Sequence, residues 1–172
     1  MWVSGAGIPK VLGFAEGLKG IEIGMSAGVT TRHFFELLPG LQMVEIDPYA
    51  PYVDWNGDEH TPYRAEATLE EFWIRNADFK SRIRHFHTTS DKAAKFLPDE
   101  AFDFVFIDGL HTYDQVLKDC QNYWPKVKSG GLFAGHDFNT IQAVGDAVRA
   151  FAKSLNAHIL QTEHDVWYWR KP

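Results

Sequence analysis

Two short clusters of acidic residues and histidines follow two strongly apolar runs of the chain. Asp108 and His111 come after the run FDFVFI. His136 and Asp137 come after the run GLFAG. A neutral imidazole can take a proton from a hydroxyl near neutral pH, and carboxylates with an imidazole can bind a divalent cation. If the two runs are neighbouring strands, the sequence predicts an acid–base site or a metal site where they end.

Short apolar runs alternate with longer periodic stretches, and this alternation predicts the elements that position the clusters. Seven strands are expected, at 20–24, 41–46, 82–88, 102–107, 131–135, 157–161 and 165–171. Helical patterns lie at 8–19, 27–38, 65–76, 90–96, 112–126 and 140–155. Strand–helix alternation without a linker predicts one α/β domain over residues 1–172, with a doubly wound parallel sheet and right-handed crossovers.

Ligands of such sheets bind outside the carboxyl ends of the strands. The segments IGMSAG, EIDPY, TTSD, DGLH and GHDF each follow a predicted strand, so they should lie along one rim. The polar and aromatic stretch at 48–63 is long for a connection, and loops of this size are often functional. It is interpreted either as a lid over an acceptor or as a packed surface loop.

Composition excludes several classes of partner. The 172 residues carry a formal charge of −6, and RKP at the C-terminus is the one basic run, which argues against a nucleic-acid partner. Cys120 is the one cysteine, so no intramolecular disulfide can form. The chain has no apolar segment near the roughly 20 residues of a membrane span and no signal-peptide pattern at its N-terminus. A cytoplasmic protein without a membrane partner is therefore expected.

The turn after the first strand carries glycines at positions 24 and 28. Glycine lets the backbone approach a ligand closely, although a plain tight turn has the same composition. A dinucleotide fingerprint would require glycine where Ser26 stands, which argues against NAD. Glu22, inside an apolar strand, suits a cationic ligand better than a pyrophosphate.

The ordered set IEIGMSAGVTT, VEIDP, TTSDKAAKFL, FDFVFIDGLHTYDQV and GGLFAGHDF resembles class I S-adenosylmethionine-dependent methyltransferases. The resemblance spans roughly residues 20–171. It is strongest to small O-methyltransferase-like domains whose fourth and fifth strands end in DG.H.Y and GHD. It implies a Rossmann-like, seven-stranded sheet that is mostly parallel with an antiparallel C-terminal strand, and it implies S-adenosylmethionine as the cofactor.

The resemblance also implies the cofactor-binding residues. The methionine moiety would be held by Glu22, Gly24, Ser26, Gly28 and Thr30, and Asp108 would join the cofactor set. Asp47 would accept hydrogen bonds from the ribose hydroxyls, with Glu45 as a rival because VEIDP contains two acids. Ser90 and Asp91 would lie at the adenine edge. The alternatives are a turn residue for Asp47 and a helix cap for Ser90.

Metal-dependent catechol and macrolide-sugar O-methyltransferases bind Mg²⁺ through an acid after strand 4 and a pair after strand 5. The resemblance therefore implies a cation at Asp108, His136 and Asp137. Histidine at 136 replaces an acid of that family and suits Mn²⁺, Fe²⁺ or Zn²⁺ better than Mg²⁺. His111 stands where catechol-type enzymes have a catalytic lysine, so it would be the base beside Asp108. The alternative is that His111 and Thr112 cap a helix.

The expected function is O-methylation of a small molecule or a sugar, with help from a divalent cation. Cephalosporin-hydroxylase-like proteins share the GHDF-type ending, so an iron-dependent hydroxylase is an alternative. A nucleoside-binding module without catalysis is another, and a nicotinamide oxidoreductase is disfavoured by Ser26 and Glu22. The short stretch before the first strand leaves the acceptor site open or completed by a second chain, which makes a homodimer a further expectation.

Overall fold

The structure is a computed structural model that describes residues 3–53 and 57–172. Its strands are β1 (Lys19–Ile23), β2 (Gln42–Ile46), β3 (Tyr52–Val53), β4 (Glu59–His60), β5 (Ile83–Phe86), β6 (Phe102–Ile107), β7 (Val127–Gly135), β8 (Leu160–Gln161) and β9 (Trp167–Arg170). Its α-helices are α1 (Ile8–Val11), α2 (Val29–Leu37), α3 (Pro62–Arg75), α4 (Ser90–Ala93), α5 (Tyr113–Tyr123) and α6 (Gln142–Ser154). Short 3₁₀ helices follow α3, α4 and α5, at Ala77–Arg82, Ala94–Phe96 and Trp124–Lys126.

Seven strands form one sheet in the order β5-β2-β1-β6-β7-β9-β8. β5, β2, β1, β6 and β7 are parallel, and β9 is antiparallel to both β7 and β8. The expected seven-stranded, mostly parallel Rossmann-like sheet with an antiparallel C-terminal strand is confirmed. The strand order reverses beside β1, since β2 lies on one side of it and β6 on the other. This is the switch point where open α/β sheets bind their ligands.

Both faces of the central strands are covered, which explains the unbroken apolar runs of the sequence. On one face, α5 and α6 pack against residues such as Val105 and Phe133. On the other face, Phe34 of α2 meets the rings of Phe104 and Phe106 edge to face, with centroid distances of 5.5 and 5.6 Å. This packing fixes the height of β6 between two helical layers, and thereby the position of the residues that follow it.

Several predicted boundaries differ from the structure: the strands expected at 82–88, 157–161 and 165–171 are shorter, and three other differences concern α1, α3 and β7. The expected helix at 8–19 is only the single turn α1, because the chain turns into the left-handed region at Gly13 (φ 67°) and Phe14 (φ 52°). The helix expected from residue 65 begins at Pro62, where the Thr61 hydroxyl accepts a hydrogen bond from the Arg64 amide. β7 begins at Val127, which pairs with Phe102 before an irregularity in the ladder.

The stretch predicted as a lid, 48–63, contains the two-residue hairpin β3–β4 and the first turn of α3. Residues 54–56 lie outside the described part of the chain. Tyr52 and Val53 of the hairpin are exposed.

Candidate functional site

Adjacent parallel strands bring the predicted site segments to one edge of the sheet. The backbone ladder continues one residue past the strands: the Asp108 amide donates to the Ile23 carbonyl at 2.8 Å, and the His136 amide donates to the Ile107 carbonyl at 3.1 Å. Main-chain hydrogen bonds therefore anchor Asp108 to the end of β1 and His136 to the end of β6. The sheet does bring together the two clusters that the sequence separates by 25 residues or more.

Asp108, His111 and Asp137 form an acid–imidazole cluster. His111 Nε2 lies 2.9 Å from Asp137 Oδ2 and 3.4 Å from Asp108 Oδ1. One ligand atom of each residue lies within 4.8 Å of the others, and all three side chains are partly buried. Asp137 has φ 59°, in the left-handed region that costs a non-glycine residue strain. Strain of this kind is concentrated at functional sites.

His136 lies behind the cluster, with one nitrogen turned toward it. Its Nε2 is 2.8 Å from the His164 carbonyl oxygen, which can only accept, so Nε2 carries the hydrogen. Its Nδ1 lies 3.1 Å from Asp137 Oδ1 and 3.9 Å from Asp108 Oδ1. A histidine held by a carbonyl at one nitrogen presents the other to a cation or a carboxylate. The three residues predicted to bind a metal therefore face one another, and His111 adds a fourth group.

Charge shapes the protonation of the cluster. Burial disfavours the charged form of His111, but hydrogen bonds to Asp108 and Asp137 outweigh it and raise the pKa of His111 to about 9. Burial would raise the pKa of Asp137, but hydrogen bonds from His111 and His136 hold it below its ordinary value. The imidazole of His111 is therefore a stronger base than a free histidine, because any proton it takes lies between two carboxylates.

The glycine loop, residues 24–28, connects β1 to α2. Gly24 has φ 84° and Gly28 has φ 72°, so both positions require glycine. A Cβ on Gly24 would lie 2.1 Å from the Asp108 carbonyl oxygen, and one on Gly28 would lie 2.3 Å from Asn76 Nδ2. The loop therefore packs directly against the start of the acid–imidazole cluster. Ser26 also lies in the left-handed region, with φ 46°.

Asp47 joins the glycine loop to the segment after β2. Its Oδ2 accepts from the Ser26 amide at 3.2 Å and its Oδ1 accepts from the Tyr49 amide at 2.8 Å. The second contact is the turn hydrogen bond that the sequence offered as an alternative. Each carboxylate oxygen keeps a further lone pair, so the turn role and a ligand role are compatible. Burial raises the pKa of Asp47, and these two amide hydrogen bonds oppose the rise.

Glu22 and Glu45 are register partners on β1 and β2 and form a buried carboxyl pair. Their exposed fractions are 1% and 0%. The Thr31 hydroxyl donates to Glu22 Oε2 at 2.7 Å, whereas neither Glu45 oxygen has a hydrogen-bond partner among the described residues. Burial raises the pKa of Glu22 to about 8, and burial and the Glu22 charge raise that of Glu45. At least one of the two carboxyls is therefore protonated near neutral pH.

Thr30, in the first turn of α2, is also buried. The side chains of Ser90 and Asp91 bind α5 in this structure. Ser90 accepts from Gln115 at 3.2 Å, and Asp91 accepts from Asn122 at 3.0 Å.

The cap assignments of the sequence are settled by the structure. Thr89, not Ser90, occupies the N-cap position of α4, so the helix-cap alternative for Ser90 is wrong. Thr112 caps α5 by accepting from the Gln115 amide. His111 takes no part in that cap and faces the two acids instead.

Sequence reasoning missed three side chains that hold the glycine loop. The hydroxyl of Tyr49 donates to the Ser26 carbonyl at 2.6 Å, Arg75 Nε donates to the Ala27 carbonyl at 2.9 Å, and Asn76 Nδ2 donates to the Gly28 carbonyl at 3.2 Å. Arg75 and Asn76 are 48 residues away from their partners in the chain, and no local signal marks them. Tyr49 stands in the motif EIDPY, in which the sequence analysis assigned a ligand role to Asp47 and no contact with the glycine loop to Tyr49.

Comparison with known proteins agrees with this geometry. Residues 21–138 match the family described as "Methyltransferase domain", which is more than half of the chain, so the chain belongs to that family. It has the class I, Rossmann-like methyltransferase fold. An uncharacterised protein of Sinorhizobium fredii, y4gI, is 28% identical over 83 residues, which are 48% of this chain and 9% of that protein. The matched segment is thus a small part of that relative's length.

Solved structures share the fold. The O-methyltransferase NovP is 16% identical with a TM-score of 0.65, over 90% of this chain and 72% of its own. The O-methyltransferase TomG from Streptomyces achromogenes, in complex with S-adenosylmethionine, is 15% identical with a TM-score of 0.64, over 90% and 73%. Spermidine synthase from Thermotoga maritima is 16% identical with a TM-score of 0.62, over 91% and 54%. Identities this low show a common fold.

Among the helices of the described residues, none has both the length and the apolarity needed to cross a membrane.

The buried carboxyl pair generates a prediction about pH. The pKa of Glu22 is raised by folding from 4.5 to about 8, so ionisation opposes the folded state. Stability linked to Glu22 is fully present below pH 4.5 and is lost as the pH rises through about 8. Glu22→Gln does not titrate, so the melting temperature of this variant should rise relative to the wild type between pH 5 and pH 8.5.

Thermal melts of the ligand-free protein at pH values across this range measure the difference. Glu66→Gln, on an exposed position of α3, is the control for a carboxyl-to-amide change. A wild-type to Glu22→Gln difference that stays constant over the range would show that the pair does not hold a proton.

Proposed function

We propose that the protein is an S-adenosylmethionine-dependent methyltransferase that methylates a hydroxyl group of a small molecule or a sugar. The observation that carries the proposal is the acid–imidazole cluster beside the glycine loop, at the switch point of a methyltransferase-domain fold. His111, the two acids and the glycine loop lie at the same edge of the sheet. Methyl transfer requires this, because the cofactor and the acceptor must be held next to each other. Membership of the family supports methyl transfer as the reaction, and the imidazole base beside two acids supports a hydroxyl oxygen as the methyl acceptor.

The residues at the rim fit an adenosyl sulfonium better than a dinucleotide. When bound, S-adenosylmethionine supplies a methyl group attached to a positively charged sulfur. Asp47 and Asp108 contribute carboxylates at the ends of β2 and β6, and the carboxyl pair lies directly below. This charge favours a cation and repels a pyrophosphate. The glycine loop and Thr30 would hold the methionine moiety, Asp47 or Glu45 the ribose, and Ser90 and Asp91 the adenine edge.

In its neutral form, His111 would take the hydroxyl proton of the acceptor. Because the pKa of His111 is raised to about 9, this form predominates only above that pH, and methyl transfer should speed up as the pH rises toward 9. Its Nε2 lies between two carboxylate oxygens, which stabilise the imidazolium that forms. A base held in this way raises the nucleophilicity of a neutral hydroxyl without covalent participation of the protein.

A divalent cation would bind at Asp108 and Asp137 with His136 or His111. Two carboxylates with imidazole nitrogens suit Mn²⁺, Fe²⁺ or Zn²⁺ better than Mg²⁺, which prefers oxygen. The cation would lower the pKa of an acceptor hydroxyl and fix its position.

The two histidines around Asp137 also favour a second candidate. Two histidines and one carboxylate are the ligand set of non-haem iron oxygenases. An iron-dependent hydroxylase on the same fold would consume oxygen in the presence of Fe²⁺, whereas the proposed methyltransferase would not. Oxygen uptake without methyl transfer would decide for the second candidate.

The class of the cofactor can be tested by ligand binding. S-adenosylhomocysteine at ~100 times its dissociation constant should stabilise the protein by ~2.7 kcal/mol, a rise of a few degrees in melting temperature. NADH should give no comparable rise, because Ser26 replaces the glycine of the dinucleotide fingerprint. Thermal melts with each ligand measure this. A rise with NADH alone, or with neither ligand, would contradict the proposal.

The base is tested by His111→Asn. Loss of a general base should lower the rate of methyl transfer by ~10²–10⁴-fold, while the affinity for S-adenosylhomocysteine changes by less than about threefold. Transfer of radiolabelled methyl to catechol and to a phenyl glycoside measures the rate, and calorimetry measures the affinity. His158→Asn, at an exposed position away from the cluster, is the matched control. Equal rates for His111→Asn and wild type would remove the base role.

The cation is tested by binding alone. Mn²⁺ added to the metal-stripped protein should raise its melting temperature, because two carboxylates and an imidazole converge on one point. Asp137→Asn should abolish most of the rise. Asp146→Asn on the exposed face of α6 should retain it. If Mn²⁺, Fe²⁺ and Zn²⁺ leave the wild type unchanged, the cation has no place in the proposal.

A further inference from the structure

Tyr49 closes a ring of hydrogen bonds between the loops that follow β1 and β2. Its hydroxyl donates to the Ser26 carbonyl at 2.6 Å, and its own amide donates to Asp47 Oδ1 at 2.8 Å. The ring is completed by the Ser26 amide, which donates to Asp47 Oδ2 at 3.2 Å. The tyrosine side chain therefore extends from the end of β2 across to the glycine loop.

The ring of Tyr49 is also held on its β5 side. It meets the imidazoles of His85 and His87 edge to face, at centroid distances of 6.0 and 5.8 Å. Burial and then the charges of Asp47, Glu45 and Glu22 raise the pKa of Tyr49, so the phenol keeps its proton and remains a donor. The side chain is fixed at its hydroxyl, along its ring and at its backbone.

This position conflicts with a ligand between the two loops. The proposed function places the cofactor across the glycine loop and Asp47, which is the gap that the Tyr49 side chain bridges. The buried Glu45, whose oxygens have no hydrogen-bond partner among the described residues, is one of the acids whose charge acts on Tyr49. Glu45 is fully buried, so a ligand hydroxyl cannot reach this carboxyl in the closed arrangement.

The backbone is also strained at both residues that the tyrosine hydroxyl bond joins. Tyr49 has φ 41° and Ser26 has φ 46°, and neither residue is glycine. Left-handed conformations of non-glycine residues persist only when their surroundings hold them. The hydroxyl-to-carbonyl hydrogen bond is the direct contact between these two residues, and the other hydrogen bonds of both run to Asp47.

We propose that Tyr49 is a gate for the cofactor: its hydroxyl bond to Ser26 holds the cleft closed, and an adenosyl ligand enters when the ring swings away. The inference rests on the proposed function, because it requires an adenosyl ligand at these loops. The bound ligand would replace the tyrosine between the loops, so the closed state competes with binding.

The test measures the association of S-adenosylhomocysteine separately from its dissociation. Only the open fraction of the protein binds, so loss of the hydrogen bond should increase the association rate constant for S-adenosylhomocysteine. Tyr49→Phe removes the hydroxyl and keeps the ring, and an increase of about two- to tenfold is expected from the worth of one hydrogen bond. The dissociation rate constant should change by less than twofold. Surface plasmon resonance on the immobilised protein measures both constants.

Two further variants define the outcome. Tyr168→Phe removes a hydroxyl on β9, away from both loops, and should leave both constants unchanged. Tyr49→Ala should increase the association rate constant at least as much as Tyr49→Phe. An unchanged association rate in Tyr49→Phe would show that the hydrogen bond is merely structural and would overturn the gate.

A faster dissociation from Tyr49→Ala would also overturn the gate, because the ring would then contact the bound ligand. Isothermal titration distinguishes this from a failure of the proposed function. If S-adenosylhomocysteine binds neither the wild type nor Tyr49→Ala, the cofactor class is wrong and the gate is wrong with it. If S-adenosylhomocysteine binds the wild type, and Tyr49→Phe has the same association and dissociation rate constants as the wild type, only the gate is wrong.

Discussion

The parallel pairing of β1 with both β2 and β6 is the constraint on which the site depends. Because the three strands run in the same direction and in register, their carboxyl ends lie at the same height. The glycine loop, Asp47 and Asp108 then meet without any side chain having to reach far. The Gly24 position shows how close this approach is, since a single added carbon would collide with the Asp108 carbonyl. The loop and the acid cluster are in effect one packed unit.

Acidic groups are concentrated along this rim, and the protein balances them in three ways. Asp137 lies between two imidazoles, Asp47 accepts two backbone amides, and the Glu22–Glu45 pair retains a proton. Each arrangement lowers the cost of burying a carboxylate. The remaining negative charge makes the edge attractive to cations, which is consistent with a sulfonium and a divalent metal and unfavourable for a pyrophosphate.

The backbone of the rim is held under strain by hydrogen bonds from distant segments. Ser26 and Tyr49 occupy the left-handed region, and so does Asp137. Donors from α3 and from the segment after β2 keep the glycine loop in shape. A site built in this way is pre-organised on the side of the acids and held closed on the side of Tyr49. The acid–imidazole cluster is thus the rigid part of the site, and the proposed Tyr49 gate is its movable part.

Local patterns were sufficient for most of the fold and for the identity of the chemical groups. Apolar runs bounded by glycine and acid marked the strands, since burial on both faces leaves an unbroken apolar signature. The motifs DGLH and GHDF identified Asp108, His111, His136 and Asp137, because strand ends are where such sheets place their ligands. A boundary was wrong where a side-chain cap decided it, as at Thr61 for α3.

What the sequence by itself determined is the set of elements and the residue types at their ends, because periodicity and turn chemistry are local properties. Only the tertiary structure decided which groups touch. It placed His111 between two acids, turned His136 through its bond to His164, and brought Tyr49 onto Ser26. Apart from the contact of His111 with Asp108, these contacts join residues 23 to 28 positions apart, and their geometry follows from strand register and helix packing, which no local pattern records.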